Sequence, residues 1–163
     1  MERFVDANKF IKTNKTQFTP NNPADFFCFY CGHLFYVECK STINTGVGYQ
    51  LKKADIKASI RYHQIQDLLK RSEAENVHCG FLIKFADRNT KTKKINGGCF
   101  WVEVNRFVNW ARKQKKHSIN LYDCKNIGIR VEEQKLRTNY RYNIEGLFNE
   151  IIFTTGGITN DYK

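Results

Sequence analysis

Residues 21–41 read NNPADFFCFYCGHLFYVECKS. Within this stretch, 25–31 and 34–40 are rich in aromatic and β-branched side chains, and Cys-Gly-His separates them. That pattern predicts a β-hairpin in which Gly32 supplies the turn. Side chains alternate across a strand. Leu34, Tyr36, Glu38 and Lys40 therefore share one face, and Phe35, Val37 and Cys39 share the other. The second set is apolar and is expected to pack on a helix layer. The first set ends in Glu-x-Lys. Burying that pair without a partner is costly, so a cavity, water or an ion is expected opposite it.

On the N-terminal side, residues 1–24 are polar and turn-rich and hold both prolines, Pro20 and Pro23. On the C-terminal side, STINTGVGYQLKK at 41–53 reads as a loop. Gly46 and Gly48 free its backbone, and its position places it at the border of any cleft beside Lys40. Residues 54–75 predict a helix with Ala58, Ile65, Leu68 and Leu69 on an apolar stripe and Lys57, Arg61 and Lys70 toward water. CGFLIKFA at 79–86 reads as a buried strand. RNTKTKKINGG at 88–98 reads as a basic, hairpin-like loop, and CFWVEV at 99–104 as the next strand. A second helix is expected over 105–116, with Phe107, Val108 and Ala111 on one side. HSINLYD leads to IGIRVE at 127–132, a strand or edge extension. TNYRYNIEGLFNEII at 138–152 ends in a short helix-like run, and 154–163 is expected to fray. Neither an internal repeat nor a domain linker is evident. The expected organisation is one domain over 1–163 in which strand and helix segments alternate.

The 163 residues suffice for one domain with a real core, and 41% are hydrophobic. Lys and Arg number 27 against 16 Asp and Glu, for a net charge of +11 spread along the chain. Such an excess favours an anionic partner, of which nucleic acid is the commonest. No apolar run approaches the roughly 20 residues that span a bilayer, and MERFVDANKF has no signal-peptide pattern. Of the six cysteines, most sit in apolar, strand-like runs. This fits small buried hydrophobes in a reducing cytosol better than a disulfide framework. A cytoplasmic protein of a bacterium or phage-infected cell is the expectation.

Asp25 opens the first strand of the hairpin, so folding back brings it beside Glu38. Both carboxylates could then reach one Mg²⁺, a hard cation that prefers oxygen ligands and retains several waters. The Cys39 backbone carbonyl could add a further oxygen. Such an ion lowers the pKa of a bound water and polarises a phosphate, while Lys40 could orient the water and offset charge in the transition state. Two carboxylates and an ammonium at one ion are the requirements of phosphodiester hydrolysis. A lone Glu-x-Lys is more often a surface ion pair; the upstream Asp and the basic composition tilt the balance toward catalysis.

Other features have blander readings. Cys28-x-x-Cys31 with His33 invites a zinc site, but no second Cys/His pair follows at finger-like spacing, and a packed hairpin cysteine is the better expectation. His63 on the first helix fits a hydrogen-bonded surface patch. Lys91, Lys93 and Lys94 form a charged turn that is either solvated or in reach of DNA phosphates. Arg137, Tyr140 and Arg141 form a basic-aromatic patch that could grip nucleic acid or close a sheet edge. Lys115, Lys116 and His117 place charge near the second helix's C-terminus.

PAD at 23–25 with ECK at 38–40 resembles the PD-(D/E)xK nuclease signature. The 21–41 stretch, IRYHQIQDLL at 60–69, GFLIKF at 80–85, HSIN at 117–120 and LRTNYRYNIEGLF at 136–148 together resemble RecU-like Holliday junction resolvases of phage and Firmicutes. The likeness spans about residues 16–148. The two-part signature alone is a weak motif, and the ordered series is more specific. The resemblance implies an α/β fold with a restriction-endonuclease-like core, in which a mixed central sheet is flanked by helices, a homodimer, and cutting of two strands of a four-way DNA junction. It implies that Asp25 and Glu38 bind Mg²⁺ (with Mn²⁺ as a substitute), that Lys40 assists the attacking water, and that Gln64 lies near the site. The family's earlier helix, with a metal-holding Glu ahead of the Asp, has no convincing copy here. The expectation is that this chain begins after that helix.

The expected function is thus a Mg²⁺-dependent, structure-selective endodeoxyribonuclease acting on four-way junctions in recombination, reading shape and phosphate positions more than bases. Two alternatives stay open. One is another nuclease of this superfamily acting on flaps, ends or duplex. The other is a DNA-binding recombination accessory protein that does not cut.

Overall fold

The computed structural model describes residues 2–3, 24–53 and 57–156. Most of the polar segment 1–24, residues 54–56 of the expected first helix, and 157–163 of the tail lie outside the described residues. The elements run in chain order as β1 (Glu2–Arg3), β2 (Phe26–Tyr30), β3 (His33–Thr42), β4 (Gly46–Gly48), α1 (Tyr62–Arg71), β5 (Val77–Phe85), β6 (Arg88–Asn89), β7 (Lys94–Ile95), β8 (Gly98–Glu103), α2 (Val104–Lys113), β9 (Ser118–Asn120), α3 (Leu121–Ile127), β10 (Ile129–Val131), β11 (Glu133–Lys135), β12 (Tyr140–Tyr142) and α4 (Ile144–Gly156).

The predicted hairpin forms, with Phe26 opposite Val37 and Tyr30 opposite His33. Its loop is the dipeptide Cys31-Gly32, with φ of 49° and 82°. Positive φ at both positions matches the twist of the flanking strands, and Gly32 adopts it without steric cost. From this hairpin the main sheet grows to six strands in the order β1-β2-β3-β5-β8-β10. The β3–β5 pair is parallel, and the other pairs are antiparallel. The result is an α/β fold with a mixed central sheet.

Alternation along β3 divides the core in two. Phe35 and Val37 pack with Leu82, Cys99, Trp101 and Val131 beneath Leu147, Phe148 and Ile151 of α4, with Cys39 against the same cluster. Across the sheet, Cys79, Phe81, Ile83, Phe100 and Val102 meet Ile65 and Leu68 of α1, Phe107, Val108 and Ala111 of α2, and Cys124 of α3. Burying a large apolar side chain contributes about 1.5–3 kcal/mol, and both clusters are rich in fully buried aromatic rings. The apolar face of 34–40 thus lies against a helix, as its pattern predicts.

Several boundaries differ from those predicted. The first helix starts at Tyr62, because Ile60 bridges Tyr49 in an extended conformation and Arg61 N–H donates to Gln64 Oε1 at 3.0 Å. Of its expected stripe, Ile65 and Leu68 are buried, and Ala58 precedes the helix. α2 begins at Val104, capped by Glu103, whose carboxylate accepts from the N–H groups of Asn105 and Arg106 at 3.0 and 2.8 Å. Gly46 and Gly48 sit not in a loop but in β4, paired with β9. The segment after Asn120 is a helix, α3, and α4 continues through 154–156. No disulfide links any of the six cysteines. Burial pushes Cys79, Cys99 and Cys124 up to about 12, so they behave as inert core residues. Among the described residues no helix is long and apolar enough to cross a membrane.

Candidate active site

The hairpin register carries Asp25, one residue before β2, to a position beside the middle of β3. There its Oδ2 accepts the Cys39 N–H at 2.8 Å. On a strand, the N–H and C=O of one residue point to the same side. The Cys39 carbonyl therefore also faces the edge that Asp25 occupies. Glu38 projects from β3 toward the α1 layer and is only 4% exposed. Its Oε1 accepts from Lys40 Nζ at 2.7 Å, and from Gln64 Nε2 in a second close contact. Lys40 and Glu38 meet because they are two apart on one strand, hence on one face. Gln64 joins them from the first turn of α1, where its Oε1 also caps the helix.

All four expected site residues, Asp25, Glu38, Lys40 and Gln64, are thus brought together, with Cys39 contributing backbone. Burial pushes the Glu38 carboxyl above its ordinary value, and the Asp25 charge adds to that rise. The Lys40 hydrogen bond and charge, and the Asp25 main chain, pull the other way without cancelling it. A buried carboxylate held near a second carboxylate is poised to gain from a cation.

Among the described residues no three His, Cys, Asp or Glu side chains converge into a metal-holding group. Two carboxylates and a carbonyl are the donor set. This is unsuited to the closed nitrogen and sulfur cages of structural zinc, and it fits Mg²⁺, which takes one or two carboxylates and completes its shell with water and phosphate. The alternative zinc cluster does not assemble. Cys28 packs into the α4 layer, whereas Cys31 lies exposed in the turn, and His33 Nδ1 sits 2.9 Å from His78 Nε2.

No protein-family model matches the chain. The SPbeta prophage-derived uncharacterized protein YotM of Bacillus subtilis (strain 168) is 31% identical to it, over 92% of this chain and 76% of that protein. The chain belongs to the YotM family. In this YotM-family chain, two further ion pairs, each with an aromatic ring beside its lysine, brace the fold. Lys84 binds Glu133 at 2.6 Å and lies over the Tyr140 ring at 4.1 Å, which fastens the β11–β12 hairpin to the sheet. Tyr140 and Arg141 of the basic-aromatic patch therefore stand on that hairpin, in the α4 layer. Lys116, just past the C-terminus of α2, binds Asp123 at 2.6 Å and closes onto Trp110 of that helix. The β6–β7 arm agrees with the basic, hairpin-like loop expected over 88–98, whereas no sequence signal marks the exposed Tyr122 on α3.

Proposed function

We propose that this protein is a Mg²⁺-dependent, structure-selective endodeoxyribonuclease that cuts four-way DNA junctions, with a restriction-endonuclease-like core. The observation that carries the reading is that Asp25 accepts the N–H of Cys39, the residue after Glu38, close enough for its charge to act on the Glu38 carboxyl, while Lys40 Nζ stands 2.7 Å from Glu38. The ordered series of motifs that resembles RecU-like resolvases supports the junction as substrate. The net charge of +11 and kinship to a prophage-derived protein agree with it. A homodimer suits the two symmetric strand cuts that a junction requires.

Asp25, Glu38 and the Cys39 carbonyl would hold the ion. Bound there, it would polarise the scissile phosphate and make a bound water more acidic. The chain's own groups do the rest. Lys40 holds the Glu38 carboxylate in place and directs N–H bonds toward the attacking water and the charge that develops on the phosphoryl oxygens. Gln64 fixes the other approach to Glu38, so that the carboxylate cannot rotate away. Asp25 is oriented by the Cys39 N–H and leaves its second oxygen for the ion. Attack of a water oxygen on phosphorus forms one P–O bond and breaks another; the water gives up a proton to solvent, the departing sugar oxygen takes one up, and no covalent enzyme intermediate is needed.

Nicking of a synthetic four-way junction in Mg²⁺, compared with linear duplex and flap substrates, tests this reading. Asp25→Ala and Lys40→Ala are each expected to lower nicking by about a hundredfold or more while keeping junction binding in Ca²⁺. Preferential cutting of flaps would reassign the substrate. Undiminished cutting by both variants would remove the site.

A further inference from the structure

Beyond the end of β3 the chain leaves the site through residues 43–45, and a second constellation stands beside that exit. A cleft of about 300 Å³ is lined by Thr45 of this connection, by Arg88 and Ile95 of the β6–β7 arm, and by Tyr122 and Lys125 of α3. Tyr122 is 71% exposed, a large ring that no core contact requires. The arm is held at both ends. At its tip, Thr90 Oγ1 donates to the Lys93 carbonyl at 2.7 Å and accepts the Lys93 N–H at 3.0 Å. At its base, Gly97 N–H donates to Asp87 Oδ1 at 2.8 Å. The backbones approach there so closely that a Cβ on Gly97 would stand 2.0 Å from the Phe85 carbonyl oxygen. The arm thus carries Arg88, Lys91, Lys93 and Lys94 in a fixed frame, and the last three are exposed.

We propose that the β6–β7 arm and α3 form a clamp for the DNA strand running away from the cut. In it, Arg88 and Lys125 hold phosphates across the cleft, and Tyr122 packs on an adjacent sugar or base. This inference rests on the nuclease reading above. Phosphate gripping needs cationic groups at fixed places, and an exposed aromatic ring beside them is the usual platform for a nucleic-acid strand. The nearest acid on α3, Asp123, is neutralised by Lys116, so the cleft keeps its positive character. A short, pinned arm also loses little conformational freedom on binding.

The test measures binding of a labelled four-way junction by fluorescence anisotropy in Ca²⁺, across a salt series. It uses Arg88→Ala/Lys125→Ala, Tyr122→Ala, Tyr122→Phe, and Arg112→Ala/Lys113→Ala as a charge-matched control on the last turn of α2. The clamp predicts that the first double variant flattens the log–log salt slope by about one per side chain removed. It predicts that Tyr122→Ala weakens binding by about five- to a hundredfold, and that Tyr122→Phe retains affinity. Clamp variants that match the control overturn the proposal. If the wild type nicks junctions and the clamp variants bind as it does, the clamp falls and the nuclease reading stands. If the wild type binds no DNA, both fall. If clamp variants lose binding while no protein cuts, the cleft stands as a DNA-binding site, and the nuclease reading falls together with the clamp's placement beside a cut.

Discussion

At the scale of single residues, Glu38 is the most consequential group, because burial and the Asp25 charge raise its carboxyl above the ordinary value. A protonated Glu38 cannot ligate a cation. Nicking is therefore expected to rise with pH through that raised value, not through the usual carboxylate range. Proton and ion compete for the same oxygens, so more Mg²⁺ should move this acidic limb to lower pH. Rate profiles at two Mg²⁺ concentrations check both points. Gln64→Glu keeps an acceptor for the Arg61 N–H but sets a carboxylate against Glu38. The limb should then shift to higher pH while the helix keeps its cap. Gln64→Ala should instead cost about 1 kcal/mol of stability through the lost cap. Denaturant titration beside the rate profile separates positioning from capping.

At the scale of elements, the β2–β3 hairpin invites a stability test. Cys31 holds φ of 49°, a conformation that costs most L-residues about 1–2 kcal/mol but that Asn tolerates. Cys31→Asn should therefore stabilise the fold by about 1 kcal/mol at most, seen as a higher urea midpoint, and leave nicking unchanged because the turn lies at the far end of β3 from Lys40. The same hairpin was legible in the sequence because period-2 alternation and a glycine specify both strands and their faces. That alternation also places Glu38 and Lys40 together, and the hairpin's return brings in Asp25, so the heart of the site could be read from 21 consecutive residues. Gln64 could not be read that way. Its approach depends on where α1 starts, and the Tyr49–Ile60 bridge that delays the helix is a tertiary contact. α3 left a local trace that was passed over: Asn120 and Asp123 each accept the other's N–H at 2.9 Å, a reciprocal cap. The short β4 and β9 strands carry no periodic signal of their own, and Val47 and Ile119 become core only through their pairing.

At the scale of the whole molecule, the site is a cost built into the centre of the sheet, with apolar layers on both faces. Without a cation, the folded chain must hold Glu38 charged in a buried place near Asp25. Its folded value exceeds its unfolded one, so the stability linked to this group is fully present below the unfolded value and is lost as pH rises through the folded value. The proposed divalent ion would reverse that loss by binding the folded chain, adding RT ln(1 + [L]/Kd), about 2.7 kcal/mol at a hundred times Kd. For a domain of this size that corresponds to a rise in Tm of roughly 5–10 °C. The rise should be largest above the raised Glu38 value and vanish in acid, where protons occupy the ligand oxygens. Asp25→Asn removes both a ligand and the like charge. It should raise the metal-free Tm at neutral pH and abolish the response to Mg²⁺. Glu38→Gln should abolish the response as well, leaving Lys40 without its carboxylate. Calorimetric scans with EDTA and with Mg²⁺ at two pH values distinguish these outcomes without requiring any substrate, and an equal Mg²⁺ response in wild type and Asp25→Asn would place the ion elsewhere.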